Sequence, residues 1–352
     1  MNIQMFNLWY WFWAIISIGS TVGLYFLLRH QSQKTQKIVL FSILVLGLIA
    51  HFTKFLYPPY STDTARMLRD AWFVNICGAN IGLFPFMFFS KNEKVKDYMF
   101  YLGLLGGLIA VLVPLEPIAK INQAGEWIDI VRFYFHHTML YAVPLLMVIL
   151  GLHKLSYKRV FWCPVYLLGV MLFIMLNQIF QSELGFIPLR GDDMLNINYK
   201  NSSLIWGPGN ESFAVILTAL CPKIFKTIPC GQFAGQTKYW PWFWLIVPAF
   251  VYLVPICFGI CLIFDFKNFK TDFKQFISNT KQYIGKLKAK YAKVNATEAN
   301  SLSTTNDGFN NNNIVDTEVN NKNNTVSDST TALSDVDNNN NNKNKINNND
   351  SK

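Results

Sequence analysis

The chain has 352 residues, of which 51% are hydrophobic and only 15% are charged. A soluble protein carries about a quarter charged residues, so this composition excludes an ordinary soluble domain. The formal net charge of +10 lies mainly in short loops on one side of the apolar segments and in a lysine-rich stretch after the last segment. It therefore indicates membrane topology and not nucleic-acid binding.

Seven apolar segments are long enough to cross a membrane, at about 20 residues per span. We predict spans at residues 9–28, 37–56, 71–90, 98–118, 131–152, 160–180 and 242–264. A shorter apolar run at 213–220 predicts a re-entrant or interfacial piece, or part of a packed loop. The first segment lacks the basic flank of a signal peptide. The prediction for residues 1–265 is therefore an all-α, polytopic membrane helical bundle of about seven transmembrane helices.

The charges of the loops predict the orientation. Lysine and arginine are concentrated after the first, third, fifth and seventh spans, whereas the loops after the second and fourth spans mix both signs. The basic side is expected to be cytosolic, which places the N-terminus outside or in a lumen and the C-terminus in the cytosol. The predicted location is an endomembrane (ER or Golgi) or the plasma membrane.

The long loop at residues 181–241 falls on the predicted lumenal side. It contains glycosylation sequons at Asn201 and Asn210, which fit that side. Cys221 and Cys230 lie in the same loop. In an oxidising lumen these two cysteines either form a disulfide or remain as separate thiols.

The chain changes character after residue 265. Residues 266–294 interleave aromatic residues with lysines, which predicts a juxtamembrane helix with its rings in the headgroup zone and its lysines toward anionic lipid. Residues 295–352 are mostly Asn, Ser, Thr and Asp. Such a stretch buries too little apolar surface to order itself, so we predict a disordered low-complexity tail.

Cys77 and His136 are the polar residues that indicate chemistry. The third and fifth spans run in the same direction, and helix rise places the two side chains ~9 Å and ~7.5 Å below the lumenal surface. His51, near the lumenal end of the second span, lies ~7.5 Å from the same surface. A thiol beside an imidazole is a nucleophile with its base.

Four further polar residues are predicted to lie in this layer: Asn75, Asn80, His137 and Asn177. Polar groups at one depth indicate a shared cavity, because each is costly in lipid. Taken singly, each residue type has an ordinary role: the thiol as a small apolar side chain, a histidine as an interfacial residue, and an amide as a hydrogen-bonding link between helices. Geometry alone favours these ordinary roles. Consecutive helical residues point about 100° apart, so only one of His136 and His137 faces Cys77.

Two stretches carry a family resemblance, "RDAWFVNICGANIGLFPFMFF" in the third span and "RFYFHHTMLYAVPLLMVI" in the fifth. With "AHFTKFLYPP" and "MLNQIF…LNINYKNSS…WGP", they resemble the transmembrane protein 164 family and its bacterial YwaF-type relatives. The resemblance covers residues 38–264. The loop insertions and the Asn-rich tail depart from the family pattern.

The resemblance implies an acyltransferase that needs no cofactor and no metal. The family is associated with moving a polyunsaturated fatty acyl chain from a diacyl phospholipid to a lyso ether phospholipid. The implied partners are therefore phospholipid and lysophospholipid substrates in the bilayer. The family's paired Cys and His map onto Cys77 and His136, so the acyl chain is expected to pass through a thioester on Cys77. His137 beside His136 leaves the base open by one residue.

Three functions without covalent chemistry remain as alternatives. A seven-span receptor fits the span count, but no Asp-Arg-Tyr-like triplet ends the third span and no Asn-Pro-x-x-Tyr ends the seventh. A small-molecule transporter is expected to have ionisable groups near mid-bilayer in several spans and often has internal repeats. The sequence shows neither feature clearly. A purely structural membrane protein is the third alternative.

Overall fold

The computed structural model describes residues 3–58, 60–64, 67–68, 72–73, 75–115, 118, 126–185, 203–208, 214–227, 234–235 and 237–306. It divides into two compact units, Met1–Thr280 and Lys281–Lys352. Within the described ranges all regular structure is helical, apart from one isolated bridge between Thr227 and Thr237. The helices are α1 (Leu8–Leu28), α2 (Gln33–Phe52), α3 (Ile76–Phe88), α4 (Glu93–Leu112), α5 (Glu126–Ile149), α6 (Trp162–Glu183), α7 (Ala214–Ala219) and α8 (Ile246–Asn306).

Five stretches of the described chain are long and apolar enough to cross a membrane: Leu8–Leu28, Gln33–Leu56, Glu93–Leu112, Trp162–Glu183 and Phe243–Asn295. They correspond to the first, second, fourth, sixth and seventh predicted spans. Helix α3 has 13 residues, and α5 contains acidic, basic and histidine side chains that lower its mean hydropathy. The predicted helical membrane bundle is confirmed, and the shorter run near residue 213 forms the six-residue helix α7.

Side-chain caps fix where the helices begin. Helices α1 to α4 each have a capping side chain that accepts a hydrogen bond from a backbone N–H two or three residues further on. The capping residues are Asn7, Ser32, Asn75 and Asn92. Such a cap satisfies a donor that the first turn leaves unpaired. Because Asn75 caps α3, the helix of the third predicted span begins at Ile76 and not at residue 71.

Helix α5 lies against α4 at two glycines of the π-helical segment Gly103–Leu108. A β-carbon added at Gly103 would lie 2.2 Å from the carbonyl oxygen of Leu140. One added at Gly107 would lie 2.6 Å from the carbonyl oxygen of His137. Small residues at these positions let the two backbones approach closely, as in other membrane bundles.

Gly107→Ala is therefore expected to destabilise the bundle by about 2 kcal/mol, because the added methyl group collides with backbone atoms that cannot rotate away. Gly106→Ala is the matched control, since nothing lies within 4 Å of a β-carbon at Gly106. Thermal unfolding of both variants in lipid nanodiscs measures the difference. Equal unfolding temperatures would contradict the close packing of α4 on α5.

A buried carboxylate, Asp97 of α4, binds residues of the loop that follows α5. The Arg159 guanidinium donates to both oxygens of Asp97, at 2.6 and 3.1 Å, and the hydrogen bond raises the pKa of Arg159. His153 Nε2 lies 2.8 Å from Asp97 Oδ1 and carries the hydrogen, because a carboxylate only accepts. The basic loop after α5 is thereby attached to α4.

The last helix, α8, changes direction at Asp265, whose backbone is non-helical (φ −120°, ψ 19°). The Asp265 carboxylate accepts hydrogen bonds from the backbone N–H of Tyr157 and from the side chain of Asn268. Beyond the bend, the basic and aromatic stretch is helical as far as Asn306. Residues 295–306 of the predicted tail are thus helical, and 307–352 lie outside the described residues.

Candidate functional site

His51 connects the three helices that carry most of the predicted site. It is buried near the end of α2, and its ring centroid lies 6.1 Å from that of His136 on α5. On the other side, a β-carbon added at Gly78 in the first turn of α3 would lie 3.9 Å from His51 Cε1. The Phe73 ring, which leads into α3, is 5.3 Å from His51. The structure therefore brings His51, His136 and the start of α3 together.

His136 is held in one tautomer by the backbone of α2. Its Nε2 lies 3.0 Å from the carbonyl oxygen of Gly47, and a carbonyl only accepts, so Nε2 carries the hydrogen. The basic lone pair is then on Nδ1. A second group that fixes the tautomer and the ring orientation is what a general base requires.

His137 faces a different direction from His136. Its Nδ1 lies 2.8 Å from the carbonyl oxygen of Phe133, one turn earlier in α5. Its ring centroid lies 4.1 Å from that of Phe133. His137 is thus bonded to its own helix, whereas His136 contacts α2 and the His51 ring.

Cys77 is the second residue of α3 and is half-buried. The Asn75 side chain caps this helix by accepting a hydrogen bond of 2.6 Å from the N–H of Gly78. The first turn of a helix carries partial positive charge, which favours negative charge on a side chain there. This is a suitable place for a thiol that reacts as a thiolate.

The observed helix bounds change the residue counts from which equal depths of Cys77 and His136 were predicted, and the depths themselves stay a prediction. Cys77 is one residue, not six, from the start of its helix, and His136 is ten residues, not five, from the start of α5. Counting from helix starts therefore does not give equal depths. His51 is the residue that lies close to both helices, with its ring near the first turn of α3 and near the ring of His136 on α5.

The three predicted amides have different surroundings. Asn177 of α6 donates from Nδ2 to the carbonyl oxygen of Phe73, at 3.3 Å, which places it beside the entry to α3. Asn75 is the cap of that helix. Asn80 is buried and accepts a hydrogen bond of 2.8 Å from the hydroxyl of Tyr98 on α4, so it joins two helices.

The remaining predicted sites fall on or beside undescribed parts of the long loop. Asn201, Asn210 and Cys230 lie outside the described residues, and Cys221 is buried. The two glycosylation sites and the disulfide stay predictions. Among the residues that are described, no group of three or more His, Cys, Asp or Glu side chains is placed to hold a metal ion.

Sequence reasoning did not identify a polar network beside this site. Asp129 of α5 is buried and accepts hydrogen bonds from the hydroxyls of Tyr57 and Tyr60, at 3.0 and 3.2 Å. Arg132 donates to Asp129 at 2.8 Å and to the Tyr57 oxygen at 3.0 Å. Burial raises the pKa of Tyr57, so this hydroxyl stays a donor. The signal in the sequence was the i, i+3, i+7 spacing of Asp129, Arg132 and His136 on one helix face.

Asp129→Asn is expected to lower the free energy of unfolding by about 3 kcal/mol, because it leaves the mostly buried Arg132 guanidinium, 14% exposed, without its carboxylate. Asp272→Asn is the control, since that carboxylate is 36% exposed in its pair with Lys158 and such pairs contribute little. Thermal unfolding in nanodiscs measures both. A shift no larger for Asp129→Asn than for Asp272→Asn would contradict the network's structural role.

Comparison with known proteins identifies the family of the chain. A sequence model of the TMEM164 family matches residues 4–227. The chain belongs to the TMEM164 family. The match runs from before α1 to beyond α7 and includes Cys77, His51 and His136, so the predicted resemblance to this family is confirmed, while the relation to YwaF-type proteins stays a prediction. No curated protein and no solved structure matches the chain.

Membership of the TMEM164 family agrees with the apolar helices of the bundle. Together they show that the chain is a multi-pass integral membrane protein whose environment is the lipid bilayer. The candidate site lies in the matched region, whereas the membrane segment of α8 and the basic helix after it lie beyond residue 227. The orientation of the termini and the compartment stay predictions.

Proposed function

We propose that this TMEM164-family protein is a phospholipid acyltransferase. It moves a fatty acyl chain, polyunsaturated by analogy with the family, from a diacyl phospholipid to a lyso ether phospholipid. The observation that carries the proposal is the position of His51, whose ring lies close to both the helix turn that bears Cys77 and the ring of His136. A half-buried thiol at a helix start and a histidine of fixed tautomer are the parts that nucleophilic catalysis needs.

In the first half-reaction, the Cys77 sulfur attacks the ester carbonyl of the donor phospholipid while His136 Nδ1 takes the thiol proton. The tetrahedral intermediate collapses, the ester C–O bond breaks, and His136 returns the proton to the departing alcohol oxygen. A lysophospholipid leaves and Cys77 holds the acyl chain as a thioester. Asn177 supports this step, because its amide nitrogen has a second hydrogen to donate toward the oxyanion.

In the second half-reaction, the hydroxyl of the lyso ether phospholipid attacks the thioester carbonyl. His136 Nδ1 takes the hydroxyl proton, a new ester bond forms and the C–S bond breaks. The proton then passes to the Cys77 sulfur, which restores the thiol. Atoms and charge balance with no cofactor, because the donor lipid supplies the activated acyl group.

His51 is expected to support the site by packing beside the His136 ring and not to act as the base. Lys54 is buried, and its ammonium lies 3.4 Å from His51 Nε2. An ammonium only donates, so it engages the lone pair of His51. Proton transfer is therefore assigned to His136, whose lone pair is on Nδ1.

The test uses purified protein in vesicles that contain a diacyl phospholipid, labelled in its fatty acyl chain, and a lyso ether phospholipid. The expected result is labelled ether phospholipid together with an equal amount of new lysophospholipid. A label that appears only as free fatty acid would make the protein a lipase, and a receptor or transporter would leave both lipids unchanged. Either outcome would overturn the proposal.

A further inference from the structure

Gln181 near the end of α6 is fully buried, yet its carboxamide is unsatisfied. The side chain has 0% exposure, and neither Nε2 nor Oε1 has a hydrogen-bond partner within the described part of the chain. Buried polar groups are nearly always bonded, to protein, to ordered water or to a ligand. The carboxamide therefore has donor and acceptor capacity left for a polar group from outside the chain.

The segment at 203–208 carries a second buried group of this kind. Ser203 is 4% exposed, and its hydroxyl oxygen has no hydrogen-bond partner among the residues described. The segment is attached to α6, because Trp206 Nε1 donates to Gln178 Oε1 at 2.7 Å. It is also attached to the start of the last membrane helix, where Trp244 Nε1 donates to the Leu204 carbonyl at 2.9 Å. Gln181 and Ser203 therefore lie on elements that are joined by hydrogen bonds.

Gln181 lies on the same face of α6 as Asn177. The two residues are four positions apart, which is about 6 Å along a helix. Asn177 bonds the carbonyl of Phe73, and the Phe73 ring contacts His51. Gln181 is therefore one helical turn from the candidate site.

The chemistry of a carboxamide selects the ligand group. Nε2 donates and Oε1 accepts, so full satisfaction requires a partner that does both. An alcohol hydroxyl does both, whereas a phosphate oxygen only accepts and an ammonium only donates. Ser203 supplies a further hydroxyl that adapts to either role.

We propose that Gln181, with Ser203, binds the hydroxyl group of an alcohol, namely the free glycerol hydroxyl of the lysophospholipid that accepts the acyl chain. The identity of this alcohol rests on the proposed acyl transfer. The hydroxyl-binding site itself does not, because it follows from the two unsatisfied buried groups. In this arrangement the Gln181 carboxamide holds the acceptor hydroxyl ready for attack on the thioester.

The test measures binding in the absence of turnover, with full-length Cys77→Ala protein in nanodiscs. The probes are a lyso ether phospholipid and its deoxy analogue, which lacks the free glycerol hydroxyl. We expect the hydroxyl form to bind at least about tenfold more tightly, since a site built for a hydroxyl rejects the analogue without it. Adding Gln181→Met should reduce this ratio to about one. Equal binding of the two probes before Gln181 is changed would mean that only water occupies the site, and would overturn the proposal.

Stability separates ligand binding from a structural role. Gln181→Met replaces unpaired polar atoms with an apolar chain of similar size, so the unfolding temperature should stay the same or rise. Gln36→Met is the matched control, because it removes the hydrogen bonds from Gln36 Nε2 to the carbonyl oxygens of Leu28 and Gln31, fifteen residues before His51 on α2. It should lower the unfolding temperature while keeping the hydroxyl preference. A lower unfolding temperature and an unchanged preference in Gln181→Met would overturn the proposal.

The transfer assay distinguishes failure of this proposal from failure of the proposed function. With Cys77 present, Gln181→Met should form the thioester at the wild-type rate but pass the acyl chain to the acceptor at least about tenfold more slowly. Absence of a thioester in the wild-type protein would overturn acyl transfer and leave the binding result standing. Wild-type transfer rates in Gln181→Met would overturn the assignment of the acceptor hydroxyl to this site.

Discussion

Cys77→Ala is expected to abolish acyl transfer, with a loss of at least about a thousandfold in rate, because the proposed mechanism forms its covalent intermediate on this thiol. The measurement is transfer of labelled acyl chain from diacyl phospholipid to lyso ether phospholipid in vesicles. Intact-mass spectrometry of the wild-type protein, incubated with the donor lipid alone, should show one added acyl group. Hydroxylamine should remove it, as it removes a thioester.

The buried thiols of the bundle provide controls for this result. Cys163→Ala and Cys257→Ala change side chains that are 1% and 0% exposed in the core, away from the first turn of α3. Both variants should keep the acyl adduct and transfer at rates within about threefold of the wild type once folded protein is matched. Full activity in Cys77→Ala, or an adduct on another cysteine, would contradict the proposed mechanism.

The apolar segments of the sequence predicted most of the bundle. Length and hydropathy alone located the helices at residues 9–28, 37–56, 98–118 and 160–180, because a span must satisfy its backbone within the helix and present apolar side chains to lipid. The third and fifth spans were less accurate. Asn75 is a helix cap within an apolar run, and hydropathy does not detect caps. Asp129 lies inside α5, which begins at Glu126, five residues before the start that hydropathy predicts, because charged residues in the first turns lower the local hydropathy.

The candidate site was predicted in composition but not in arrangement. His51, His136 and the entry to α3 do meet. The helices begin at other residues than predicted, so the equal depth of Cys77 and His136 stays a prediction. Contacts between distant parts of the chain decide the rest. The bonds from Tyr57 to Asp129 and from Trp206 to Gln178 join residues 72 and 28 positions apart, and one sequence carries no local signal for such pairs.

The structure also separates the two adjacent histidines, which the sequence left open. His136→Ala is expected to lower the rate of acyl transfer about a hundredfold or more, because a general base contributes about that much. His137→Phe is the control. It keeps an aromatic ring against Phe133 and removes the bond to the Phe133 carbonyl, so transfer should stay within about threefold of the wild type.

The pH dependence of the acyl-enzyme step distinguishes a base from a structural histidine. In the wild type and in His137→Phe, thioester formation should rise with pH as the base loses its proton and then level off. In His136→Ala that inflection should disappear, and the remaining rate should increase with the thiolate fraction of Cys77. If His137→Phe loses the inflection and His136→Ala retains it, the base is His137, and the bond from His136 to the Gly47 carbonyl only joins α5 to α2.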